Sequence, residues 1–154
     1  MKRVTHTYVQ TNSATPETVF PLLCPVREAE WVPDWKYRLL YSKSGFAELG
    51  CVFATPNEDG TETTWIVTEY KPSRSIAFAW FWPGMIATRL TINLMPHNGN
   101  HTKSSISYEY TALSEGGERE LDTYNERWYA AKMEHWQTAI NHYLETGTIV
   151  GAAE

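Results

Sequence analysis

Between Trp35 and Ala112 the chain alternates apolar and polar residues in short runs separated by turn chemistry, and after Ser114-Glu115-Gly116-Gly117 the alternation stops. From about Glu118 to Glu145, Leu121, Trp128, Tyr129, Met133, Trp136, Ile140 and Tyr143 recur at three- and four-residue spacing, an apolar helical stripe about seven turns long. This switch of period constrains the fold more than any other feature. Strands with one apolar face need a partner layer, and only the C-terminal helix is long enough to cover them.

The individual elements follow from local chemistry. Residues 3–11, RVTHTYVQT, are β-branched and aromatic and predict a strand. Thr15 then offers an N-cap, Pro16 a first helical position and Glu17 a negative charge at the positive end of the dipole, while Pro21 and Pro25 keep this helix short. The segment VREAEWVPDW predicts a second short helix, stopped before Pro33. Trp35, Tyr37, Leu39 and Tyr41 alternate with Lys36 and Arg38, a strand with one wet face. GCVFAT follows as another, and the PNEDG turn joins it to TETTWIVTEY in a hairpin. SIAFAWFW, ended by Pro83-Gly84, puts Phe78, Trp80 and Trp82 on one face with Ala77 and Ala79 on the other. MIATRLTINLM and SSISYEYTAL complete six consecutive strands with turn-length connections, an antiparallel meander. Gly147 predicts the end of the last helix.

The order strand, two short helices, six strands, long helix resembles the helix-grip fold of the START-like or SRPBCC superfamily. The likeness is carried by ATPETVFPLLCPVREAEWVPDW, by the central hairpin TTWIVTEYKPSRSIAFAW and by the terminal helix, and it covers nearly the whole chain. The expected fold class is therefore α+β: a curved seven-stranded antiparallel sheet wrapped around a long C-terminal helix, with two short helices after strand 1, in a single domain over residues 1–154. The resemblance implies a cavity between the concave sheet and the helix. Many relatives, Bet v 1-like and polyketide cyclase-like proteins among them, use it for apolar or amphipathic small molecules.

The residues point the same way. The chain carries seven Trp, nine Tyr and five Phe. On a curled sheet Trp65, Phe78, Trp80, Trp82, Tyr108 and Tyr110 converge, facing Trp128, Tyr129 and Trp136 from the helix; Trp35, Tyr37 and Phe53 complete the candidate ligand-binding set. The plain alternative is that these rings fill the interior as core. Buried indole N–H and phenol O–H groups need partners, however, and a core without function favours Leu, Ile and Val. Asn125 and Lys132 project inside the apolar stripe. Lys132 can snorkel to the rim, and Asn125 can make a local hydrogen bond near the helix start. The functional reading is that both orient an acidic or carbonyl-bearing aromatic ligand, with the Lys132 ammonium meeting a carboxylate, enolate or phenolate.

Several classes are set aside. A net charge of −5 without a basic cluster argues against nucleic acid. No run approaches the roughly 20 apolar residues of a membrane span, and with no signal-peptide pattern the expected location is cytoplasmic. Cys24 and Cys51 read as buried free thiols. His6 reads as a hydrogen-bonded histidine, and the pairs His97/His101 and His135/His142 lack a third ligand, so no metal is expected. Without GxSxG, P-loop or dinucleotide motifs, no cofactor or catalytic residue is assigned. Glu28, Glu30 and Asp34 read as solvated surface, with Asp34 beside the cavity mouth. A flat outer face at Ala77 and Ala79 would allow a homodimer. Three functions stay open: a carrier of a small hydrophobic or aromatic molecule, a cyclase- or dehydratase-like enzyme acting in the same cavity, and a chaperone-associated interaction domain. A perturbed ionisable group inside the cavity favours the enzyme; a filled interior favours the interaction domain.

Overall fold

The N-terminal alternation becomes β1 (Arg3–Asn12) in the computed structural model, which describes residues 1–152. Thr15 holds the N-cap position with extended backbone but makes no side-chain cap hydrogen bond, and Pro16 opens α1 (Pro16–Val19), its missing N–H falling among first-turn donors that have no helical partner anyway. A 3₁₀ turn at Phe20–Leu22 and α2 (Pro25–Glu28) follow, each piece kept short by the next proline. α2 is shorter than the sequence pattern implies. The chain instead turns through Trp31, which is fully buried and donates its indole N–H to the Leu22 carbonyl at 2.9 Å.

Six strands come next: β2 (Arg38–Tyr41), β3 (Val52–Pro56), β4 (Glu62–Lys71), β5 (Ser75–Trp82), β6 (Ile86–His97) and β7 (His101–Ala112). All seven form one antiparallel sheet in the order β1-β7-β6-β5-β4-β3-β2, so the meander closes by bringing the first strand against the last. β2 begins three residues later than the Trp35–Tyr41 alternation predicts, and Tyr41 is exposed. The cause lies just upstream. Asp34 takes a left-handed φ of 57°, and the Trp35 indole N–H donates to the Pro25 carbonyl at 2.8 Å, which ties this residue to α2 instead of a ladder. Register shifts at Leu39/Tyr41 and Val67/Glu69 mark irregularities that bend these strands.

Three cross-strand rows make the inner face. One runs Phe53–Trp65–Trp80–Thr88–Tyr110, the second Val67–Phe78–Leu90–Tyr108 and the third Ile76–Ile92–Ile106. Ala77 and Ala79 lie on the other face, beside exposed Ile66 and Phe81.

The C-terminal stripe is two helices, α3 (Glu115–Leu121) and α4 (Glu126–Thr146), where the sequence predicts one. Asn125 makes the break. Its side-chain oxygen accepts the Trp128 N–H at 2.9 Å, capping α4 and competing with continued helix. Ser114 caps α3 in the same way through the Gly117 N–H. Gly117 has no alternative, because a Cβ there would stand 2.0 Å from the Met85 carbonyl oxygen. Gly147, at φ 71°, ends α4 with its N–H on the Tyr143 carbonyl.

Polar contacts fix α4 over the sheet. Gln137 accepts the Thr11 N–H at 3.0 Å, and Asn141 accepts from Asn12 and Ser13 while donating to the Thr11 carbonyl. Tyr129 donates its hydroxyl to the Ile106 carbonyl at 2.9 Å, and Tyr143 donates to Glu30 at 2.7 Å, joining α4 to the turn after α2.

Candidate functional site

The sheet, α2 and α4 enclose a cavity of about 250 Å³. The sheet contributes Phe53, Trp65, Phe78, Leu90, Ile92, Ile106 and Tyr108; α4 contributes Lys132, Met133 and Trp136; α2 and the segment after it contribute Glu28, Val32 and Trp35. Strand alternation aims the sheet residues inward, and positions 132, 133 and 136 share one side of α4. The rings are locked by one another. Phe53 and Trp65 stack at 5.3 Å with Phe78 edge-on to both, and Trp136 meets the buried Trp31 edge-on at 5.0 Å.

Seven of the predicted ligand-binding residues meet here: Trp35, Phe53, Trp65, Phe78, Tyr108, Lys132 and Trp136. The other six lie outside the cavity wall. Tyr37 stacks behind Trp35 at 6.3 Å. Trp80 is buried between Trp65 and Tyr110, and Tyr110 is itself covered by Tyr108, Tyr124 and Trp128. Trp82 turns outward, its indole N–H on Asp59 at 3.0 Å. Asn125 is spent as the α4 cap, and Tyr129 is held between His6 and the Ile106 carbonyl. His6 is hydrogen-bonded to the Tyr124 carbonyl at 2.6 Å, and Cys24 and Cys51 are buried free thiols.

Lys132 is an exposed residue whose ammonium turns toward the cavity rings. It lines the cavity, with Nζ 4.5 Å from the centre of the Tyr108 ring and 5.2 Å from that of Trp128. Burial alone lowers its pKa from 10.5 to about 8. Glu28, half-buried on α2, faces the same space, and burial alone raises its carboxyl from 4.5 to about 8. Among the described residues neither side chain forms an ion pair or hydrogen bond; the carboxylates that do pair with cations are elsewhere, as in Arg27–Glu30 and Arg38–Glu62. Burial raises the Tyr108 phenol first, and Tyr129 and Glu28 raise it further.

A second hollow of similar volume, more open to solvent, lies between the α1–α2 segment and the loop before β3, lined by Phe20, Leu23, Arg27, Phe46 and Tyr70 among others. Its one charged group, Arg27, is already paired with Glu30. Among the described residues no three His, Cys, Asp or Glu side chains are grouped to hold a metal ion, and no helix is long and apolar enough to cross a membrane.

No protein-family model and no curated protein matches this sequence. Solved structures do. The aromatase/cyclase ZhuI from Streptomyces sp. R1128 is similar over 97% of this chain and 100% of its own, with a TM-score of 0.67 at 14% identity. Ara h 8.0201 is similar over 94% of this chain and 99% of its own, with a TM-score of 0.63 at 14% identity. An HSP90 activator from Plasmodium falciparum covers 92% and 93%, with a TM-score of 0.59 at 15% identity. The chain has the START-like helix-grip fold. The cavity contains one ionisable group that sequence reasoning placed in solvent, Glu28. A four-residue helix is too short to show a periodicity, so nothing in the pattern marked which way that carboxyl points. The one available signal was proximity, since the proline that opens α2 and the tryptophan three residues past it both anchor this segment to the interior.

Proposed function

We propose that this chain binds a small hydrophobic or aromatic molecule in the cavity between the sheet and α4, with Lys132, Glu28 and the Tyr108 hydroxyl as its polar contacts. One observation carries the reading: two ionisable side chains project, unpartnered, into a ring-walled space. Holding ionisable groups against rings without a partner costs stability, so the pair is suited to a ligand that supplies the missing contacts. The volume lies just under the range of about 300–1,000 Å³ for small-molecule sites, which suits a ligand of one or two rings.

The same pair favours a second reading, proton-transfer catalysis of the cyclase or dehydratase kind. A neutral carboxyl and a partly deprotonated amine, both titrating near pH 8, are matched to give and take protons at neutral pH. An aromatase/cyclase is among the proteins that share this fold. A filled interior, which the interaction-domain reading expects, is at odds with the enclosed space.

Thermal-shift screening against naphthol, aromatic acids and fatty acids tests the ligand reading. A ligand at a hundred times its Kd adds about 2.7 kcal/mol of stability and raises Tm. Leu90→Trp, which pushes an indole into the cavity, should abolish that shift. No shift with any compound, or a shift that survives Leu90→Trp, would refute the assignment.

A further inference from the structure

We propose that Lys132 is an imine-forming lysine, and that the cavity accepts an aldehyde or ketone carried on an aromatic or apolar body. This rests on the reading of the cavity as a ligand site and adds to it a covalent step and a substrate class.

The geometry separates Lys132 from the other lysines. All six lysines are exposed, but Lys2, Lys36, Lys43, Lys71 and Lys103 lie away from the cavity. Lys132 alone among them lines the apolar chamber, with aromatic faces of Tyr108 and Trp128 beside its Nζ and no carboxylate within ion-pair distance among the described residues. Aromatic faces attract the ammonium but accept no proton from it. The amine is therefore left open to whatever occupies the cavity. An amine held against ring faces with no countercharge is favoured in its neutral form, the nucleophile toward carbonyl carbon. The wall opposite in chain terms, α2, supplies a proton source: Glu28 faces the same chamber and neighbours the same Tyr108.

The reaction balances without any further reagent. The Nζ lone pair adds to the carbonyl carbon, the C=O π pair moves to oxygen, and one proton passes from nitrogen to that oxygen, giving a carbinolamine. The Glu28 carboxylic acid then protonates the hydroxyl, the C–O bond breaks with loss of water, and the nitrogen lone pair forms C=N. The products are a protonated imine on Lys132, a carboxylate at Glu28 and one water; nothing is oxidised or reduced. The imine cation and the new carboxylate become the countercharges that the free protein lacks. The titration behaviour agrees. A lysine near pKa 8 presents roughly a tenth of its population as free amine at neutral pH, against less than about one part in a thousand for an ordinary lysine.

The test treats the full chain with naphthaldehyde and sodium cyanoborohydride at neutral pH and follows each lysine by peptide mass spectrometry, the five other lysines serving as internal controls. Tryptophan fluorescence, in parallel, follows binding of naphthol, which fits the same space but has no carbonyl. Lys132 should become alkylated at least about tenfold faster than any other lysine, naphthol should suppress labelling at Lys132 alone, and Glu28→Gln should slow Lys132 without affecting the other five. If naphthol binds but Lys132 labels no faster than the other lysines, the imine proposal fails and the ligand cavity stands. If naphthol does not bind and Lys132 is unreactive, both fail. Unchanged labelling in Glu28→Gln removes Glu28 from the step.

Discussion

Glu28 sits where a glutamate is expensive, half-buried against rings and facing a lysine, and burial raises its carboxyl to about 8. The sign of the effect on folding follows from linkage. The unfolded chain releases this proton near 4.5 and the folded chain near 8, so between those values the folded state holds the extra proton and stability falls as pH rises. The groups facing Glu28 are Lys132 from α4 and Tyr108 from β7. Lys132 acts in a different window: it loses its proton near 8 when folded and 10.5 when unfolded, so its contribution rises with pH between those two values. Urea unfolding of Glu28→Gln should therefore match wild type near the lower pKa and exceed it by about 2 kcal/mol at the upper one. That is below the value for complete burial, because the side chain keeps some accessible surface. A constant difference across pH would contradict the burial of this carboxyl. Nothing in the sequence distinguishes Glu28 from Glu30 two residues on, which pairs with Arg27 and Tyr143 in solvent.

At the scale of elements, the strands, their order and the long helix were legible because period-two and period-3.6 patterns survive in the amino-acid string. The break between α3 and α4 was not. Leu121 and Trp128 are seven apart, so the apolar phase continues across Asp122–Asn125 although the backbone leaves the helix there. Asn125, read as a ligand contact because it falls on the apolar stripe, is the residue that starts the second helix. Asn125→Ala should cost about 1 kcal/mol of stability, the usual worth of an N-cap, while leaving the Tm increment from a cavity ligand unchanged. A lost ligand increment with unaltered stability would return Asn125 to the binding site. The start of β2 was misread for a related reason: Trp35 and Tyr37 keep the alternation in sequence, but the Pro25 carbonyl claims the Trp35 indole.

For the molecule as a whole, which rings face the cavity depends on how the two layers meet, and no strand pattern carries that. Phe78, Trp80 and Trp82 share a face of β5 and diverge in fate. Phe78 meets the open chamber. One row along, Tyr124 and Trp128, stacked at 4.1 Å, press onto Tyr110 and close the space beside Trp80. Beyond them Trp82 reaches the surface. The helix break thus decides the cavity's extent, since it brings Tyr124 down over that end of the sheet. The seven tryptophans turn this division into a direct measurement, because each indole N–H gives its own resonance in a nitrogen–proton correlation spectrum. On titration with naphthol, Trp35, Trp65 and Trp136, which line the cavity, should show saturable shifts and Trp82 none. Shifts confined to Trp82, or no saturable change at Trp35, Trp65 and Trp136, would contradict the ligand cavity.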